Sequence, residues 1–206
     1  MDADLLERAR RSLRRRDPRL GAVIRQVGPC GIQRRGDPYG ALLRSILYQQ
    51  LAGAAARAIE GRFKAAFGGR YPAPKTLLAA RAPRLRKLGL SRQKIAAMKN
   101  VARAVEEGRV RPRRLYHQDD ETVVEVLTRI HGIGEWTAHM ILMFSLGRPD
   151  VLPVGDYGIR KGAQRVYGLR ELPRPAELES LAEPWRPYRS VASWYLWRAL
   201  ELETPG

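Results

Sequence analysis

The sequence predicts an all-α protein, and three observations carry that reading. Apolar residues recur at three- and four-residue spacing through nearly the whole 206-residue chain. Helix start signals (Asp17-Pro18, Asp37-Pro38, Ser91, Asp119 or Asp120) alternate with glycine stops such as Gly28, Gly68-Gly69 and Gly108. There is no β-branched alternating run and no Asn-Gly hairpin.

The elements follow in order. Leu5, Leu6, Ala9 and Leu13 line one face of a first helix whose other face is rich in arginine. Asp17 caps a second, with proline at its first position and Leu20, Val23, Ile24 and Val27 as its apolar stripe. Asp37-Pro38 repeats the signal, and Leu42, Leu43, Ile46 and Leu47 are the buried side of the third. A helix is expected over 53–67, with short ones over 74–81 and 83–88. Ser91 caps the run to Gly108, and Asp119 or Asp120 caps ETVVEVLTRI. Helices over 135–146, 157–167, 175–182 and 187–202 complete the set. The loops are short, so sequence neighbours should pack side by side.

Composition narrows the function. Hydrophobic residues make up 44% of the chain, enough for a core without staples. A single cysteine, Cys30, excludes an internal disulfide and a cysteine-held cluster. No apolar run reaches a membrane span, and the charged N-terminus lacks a signal-peptide core, so the expected location is cytoplasmic, on the nucleoid through DNA. Lys and Arg number 38 against 21 acidic residues, a net charge of +17. Such a surplus draws polyanions and favours salt-dependent phosphate binding, though solvated faces of an arginine-rich chain would look the same.

The stretch LTRIHGIGEWTAHMILMFSLGRPDVLPVGDYGI, residues 127–159, concentrates the chemistry. Gly132 and Gly134 break one helix and open the next within a few residues, with Ile133 between them to plug the core. Backbone N–H groups at the start of the second helix suit a phosphate; a tight αα-hairpin without a ligand is the alternative. Asp156 follows a Pro-Val-Gly turn, where a carboxylate can cap a helix or face a developing positive charge. Both roles can coexist.

LTRIHGIGEWTA resembles the helix-hairpin-helix element of the DNA glycosylase superfamily, and LPVGDYGIRKG is similar to the stretch that holds its catalytic aspartate. Trp136 and Asp156 lie 20 residues apart, which fits the 3-methyladenine DNA glycosylase II branch. ALLRSILYQQLAGAAA, LGLSRQKIAAMKNVA and EPWRPYRSVASWYLWR agree, and the matches run over residues 38–200. His131 stands where the hairpin usually has proline, and the β-sheet domain that precedes the first matched helix in the long members is expected to be absent. The resemblance implies a two-lobed helical fold with an active cleft between the lobes. Residues 38–153 would form a central bundle, with the hairpin element near 122–146, and residues 1–37 and 154–206 a composite lobe.

It also implies roles. Asp156 would be the catalytic carboxylate of a monofunctional enzyme that removes 3-methyladenine, 7-methylguanine and similar bases from double-stranded DNA, leaving an abasic site. Trp136 occupies the position where lyase members carry a Schiff-base lysine, so no β-lyase step is expected. Trp136, Tyr157 and Trp197 would line an aromatic pocket for a cationic base, with Trp194, Tyr48 and Tyr39 as further candidates. Taken singly, each aromatic could equally be a core or surface anchor. Gln49, Gln50 and Leu51 would supply the wedge that fills the gap left by the flipped base, Gln50 first and Leu51 second. Gly132, Ile133, Gly134, Arg160 and Lys161, with Arg165 beyond them, would meet phosphates. Main-chain carbonyls of Thr128, Ile130 and Ile133 would hold a monovalent cation, sodium or potassium, and no other cofactor is required. The expected protein is a monomer without a membrane role. Three rivals remain at this stage: a helix-hairpin-helix DNA-binding module without activity, a glycosylase for deaminated or other modified purines, and a structural or protein-interaction role, which leaves the basic charge unexplained.

Overall fold

In the computed structural model, residues 1–33, 36–51 and 53–202 are described. They form α1 (Ala3–Arg16), α2 (Pro18–Val27), α3 (Pro38–Tyr48), α4 (Gly53–Ala65), α5 (Pro74–Ala79) and α6 (Ala82–Lys87). Then follow α7 (Arg92–Glu106), α8 (Asp120–Thr128), α9 (Glu135–Ile141), α10 (Tyr157–Tyr167), α11 (Pro175–Ala182) and α12 (Arg189–Ala199). Among the described residues there is no strand, and no helix is long and apolar enough to cross a membrane.

The start signals read from the sequence are made by real hydrogen bonds. Asp17 accepts from the Leu20 amide, Asp37 from Tyr39 and Gly40, Ser91 from Lys94, and Asp119 from Thr122. Each satisfies a first-turn donor that the helix itself leaves without a partner. Three features depart from the expected elements. The helix expected over 135–146 is α-helical only to Ile141 and passes into a π-helical turn over Leu142–Leu146. Its apolar pattern cannot separate those two hydrogen-bond registers. Short 3₁₀ turns occupy Arg114–His117 and Glu183–Trp185, and the last helix starts at Arg189.

The chain divides into two compact units, Met1–Arg34 with Gly147–Gly206, and Arg35–Leu146. In the first, Trp185 and Tyr195 are fully buried with Leu13, Leu20 and Ile24. Asp17 is the polar centre of this core. Its Oδ1 caps α2, while its Oδ2 accepts from the Trp185 indole at 2.8 Å and from the Tyr167 hydroxyl. A buried carboxylate is tolerable only when so satisfied. Gly162 lets α10 approach α12, because a Cβ there would collide with the Leu196 carbonyl.

In the second unit α3 is buried along Leu42, Leu43, Ile46 and Leu47, as its stripe predicts. It packs against α4, α7 and α9. Glu60 on α4 gathers the polar groups of this unit. It accepts from the Tyr71 hydroxyl at 2.6 Å and the Tyr48 hydroxyl at 2.8 Å, with Lys64 at 2.9 Å and Arg44 at 3.5 Å. Burial pushes the Glu60 carboxyl up, but hydrogen bonds from Tyr71, Lys64 and Tyr48 and the charge of Arg44 outweigh it and hold the pKa at about 2.

A carboxyl depressed in the folded state contributes stability above its ordinary pKa and loses it as pH falls toward the folded value. Glu60→Gln therefore lowers the thermal midpoint at neutral pH by about 3–6 °C. The gap to wild type narrows as pH falls from 4.5 to about 2. Melting curves across that window check this, and a gap that stays constant would rule out the charged Glu60 network as a source of stability.

Candidate functional site

Asp156 is placed by two local signals. The turn before it closes through the Asp156 amide, which donates to the Pro153 carbonyl at 2.9 Å. The residue then caps α10: its Oδ1 accepts the Ile159 amide at 2.7 Å. The same oxygen accepts the Trp197 indole N–H from α12 at 2.9 Å. Asp156 is only 8% exposed, so the carboxylate is withdrawn from bulk water and aimed by two rigid donors.

Gly158 makes room for this arrangement. A Cβ at that position would lie 2.9 Å from the Trp197 ring and 3.1 Å from Asp156 Oδ1. Tyr157, the first residue of α10, is 65% exposed beside the buried aspartate. Asp156, Tyr157 and Trp197 thus form one group within the first unit. Trp194 stands apart from it on α12, packed edge-on against Tyr195 with the Arg198 guanidinium over its ring and Gly31 close beneath. Arg160 spends its Nε on the Pro173 carbonyl, Arg165 donates to the Leu200 and Leu202 carbonyls, and exposed Lys161 donates to Gln164.

The hairpin belongs to the second unit. Gly132 takes φ +97°, a conformation that side chains rarely adopt, and an added Cβ would sit 2.6 Å from the Ala97 Cβ on α7. Ile130 and Ile133 are buried, and the Ile133 amide donates to the Ile130 carbonyl at 2.9 Å. The Asn100 side chain of α7 donates to the His131 carbonyl at 3.1 Å. That contact steadies the turn without the usual proline. Gly134 then opens α9 without a side-chain cap of its own. Trp136, the second residue of α9, is 36% exposed. Thr128 ends α8, with its hydroxyl on the Val124 and Glu125 carbonyls.

The turn after α3 is the third feature. Gln49 leaves the helix with ψ 130°, and Gln50 adopts φ +54° although it carries a side chain. A left-handed residue other than glycine costs about 1 kcal/mol and marks a conformation the surroundings impose. Gln50 is exposed, and so is Leu51. The Gln49 side chain donates through Nε2 to Thr137 Oγ1 of α9 at 3.2 Å. Tyr48 is committed to Glu60, and Tyr39 is buried in the first turn of α3, about 15 Å along the axis from Gln49. Sequence reasoning did not single out Thr137, Asn100, Lys94 or Gly158. Their roles are contacts with other elements, which local pattern does not record. Among the described residues no group of three or more His, Cys, Asp or Glu side chains could hold a metal.

This geometry has relatives. Residues 43–187 match the HhH-GPD superfamily of base excision DNA repair proteins. The chain is 34% identical over 186 residues to DNA-3-methyladenine glycosylase 1 of Schizosaccharomyces pombe, covering 89% of this chain and 82% of that one. It is 30% identical over 205 residues to the alkylbase DNA glycosidase-like protein mag2 of the same yeast, covering 97% and 96%. Among solved structures it is similar to the S. pombe 3-methyladenine DNA glycosylase Mag1 in complex with abasic DNA. The TM-score is 0.89 at 33% identity, over 95% of this chain and 97% of that one. A DNA-3-methyladenine glycosidase from Bacillus halodurans gives 0.79 at 40% identity, over 91% and 87%.

Gly158→Ala tests the close approach at Asp156. It should destabilise the protein by about 1–3 kcal/mol and change the tryptophan fluorescence, because Trp197 must move. Gly155→Ala, where a Cβ meets nothing within 4 Å, is the control. Equal melting midpoints for the two variants would refute the packing argument.

Proposed function

Because the chain belongs to the HhH-GPD superfamily of base excision DNA repair proteins, we propose that it is a monofunctional DNA glycosylase. It would hydrolyse the N-glycosidic bond of alkylated bases such as 3-methyladenine and 7-methylguanine in double-stranded DNA, leaving an abasic site. The observation that carries this is Asp156: a nearly buried carboxylate, held at one oxygen by the Ile159 amide and the Trp197 indole, beside an exposed tyrosine. The relatives named for this chemistry and the Mag1 complex with abasic DNA support the same reading.

The chemistry suits the group. As the bond from C1′ to the base nitrogen breaks, its electron pair leaves with the base, and an alkylated purine cation departs neutral. Positive charge builds on the sugar, where a fixed carboxylate stabilises it. Water then adds to C1′ and gives up a proton, with Asp156 as the base that orients or accepts it. Tyr157 and Trp197, beside Asp156, would offer aromatic surface to the cationic base, and exposed Trp136 of the hairpin is a further candidate. Residue 136 is tryptophan, so the position offers no amine for a Schiff-base lyase step.

DNA would be held through backbone rather than through base reading. The uncapped first turn of α9 behind Gly132 and Gly134 offers amides to a phosphate. Main-chain carbonyls of Thr128, at the end of α8, and of Ile130 and Ile133 in the hairpin would hold a monovalent cation that adds positive charge there. Gln50, pushed into its left-handed conformation, is the side chain assigned to the gap left by the extruded base, with Leu51 beside it. Lys161 and the overall charge of +17 supply the salt-dependent attraction.

Base release from methylated duplex DNA by wild type and by Asp156→Asn tests the proposal. The variant should release 3-methyladenine and 7-methylguanine about 10²- to 10³-fold more slowly. Its affinity for abasic-site DNA should stay within about threefold, since the change is isosteric. Binding without release of any alkylated base by wild type would favour a DNA-binding module or another lesion, which a panel of deaminated bases would then separate.

A further inference from the structure

The hairpin and the turn after α3 lie far apart in sequence, yet one helix carries both. Lys94, Ala97 and Asn100 sit three residues apart on α7 and so share a face. Lys94 Nζ donates to the Leu47 carbonyl at 2.8 Å, satisfying one of the acceptors at the C-terminal end of α3. Ala97 abuts Gly132, and Asn100 donates to the His131 carbonyl. One bond then closes the ring from the other side. Gln49 Nε2, at the C-cap of α3, donates to Thr137 Oγ1, which is 1% exposed on α9 next to Trp136.

We propose that Gln49 and Thr137 are a positioning pair. Their hydrogen bond fixes the distance between the phosphate-gripping hairpin and the wedge turn, so that Gln50 is presented at a set offset from the gripped backbone. The role rests on the glycosylase reading above and assigns residues that do not touch the reacting atoms. Two physical points favour it over a merely structural bond. Gln50 needs an imposed conformation, and the residue just before it is the one tied down. The Thr137 hydroxyl is buried at the start of the helix that the hairpin opens, where an apolar residue would pack as well if only volume mattered.

The variants are Thr137→Val, which keeps shape and removes the hydroxyl, Gln49→Leu, the double variant, and Thr137→Ser, which keeps the hydroxyl. Amide hydrogen exchange over residues 48–51 reads the tie in free protein, independently of activity. Single-turnover release of 7-methylguanine and affinity for undamaged duplex read its consequence. Thr137→Val and Gln49→Leu should each speed exchange and slow release by roughly five- to tenfold, and Thr137→Val should leave undamaged-DNA affinity unchanged. The double variant should be no worse than either single one, and Thr137→Ser should behave as wild type. Unchanged exchange overturns the tie. Faster exchange with unchanged release, or additive losses in the double variant, overturns the positioning role. No base release by wild type would instead bring down the glycosylase reading and the wedge role with it, while the exchange arm still decides the tie.

Discussion

A carboxylate cannot leave bulk water unless other donors replace the water it loses. The constraint governs the first unit twice. At Asp17 the replacement donors are the Leu20 amide, the Trp185 indole and the Tyr167 hydroxyl, and the result is a fixed core. At Asp156 they are the Ile159 amide and the Trp197 indole. The two sites share a device, a cap completed by a tryptophan N–H, but differ in surroundings. Asp17 lies between the fully buried Trp185 ring and the partly buried Tyr167 ring, whereas Asp156 is followed at once by Tyr157 standing in solvent. Burial with no exposed aromatic beside it makes a structural residue. Burial beside an exposed aromatic leaves a place for a ligand to arrive.

The second unit solves a different problem, the mounting of two loops on rigid elements. Neither loop relies on its own sequence alone for shape. The hairpin lacks a proline and leans on Asn100 and Ala97; the turn after α3 holds a left-handed glutamine and leans on Lys94 and Thr137. Functional loops supported from below in this way keep their geometry while staying open to a partner above. Tyr39, by contrast, is buried in its own unit, and Tyr48 is half-buried with its hydroxyl on Glu60.

Much of this was legible from residues alone. Helix starts at Asp17, Asp37, Ser91 and Asp119 could be read because a cap is a local bond between a residue and the amide three places on. Gly132 could be read because positive φ is a local requirement. Asp156 stood out by its place after a turn, although sequence could not say that a tryptophan 41 residues later would reach its Oδ1. The π-helical turn at Leu142–Leu146 was not legible, since its apolar residues satisfy either register. The tie from Gln49 to Thr137 spans 88 positions, and a bond of that kind leaves no periodic trace.

Gln50 also sets stability against use. At φ +54° a glycine would relax the backbone, and selection for stability alone would favour it. Glycine, however, has no side chain to present. A chain engineered for heat tolerance would therefore be drawn to this position, and, if Gln50 has the proposed wedge role, the protein that melts last would be the one least able to hold an extruded base out of the duplex.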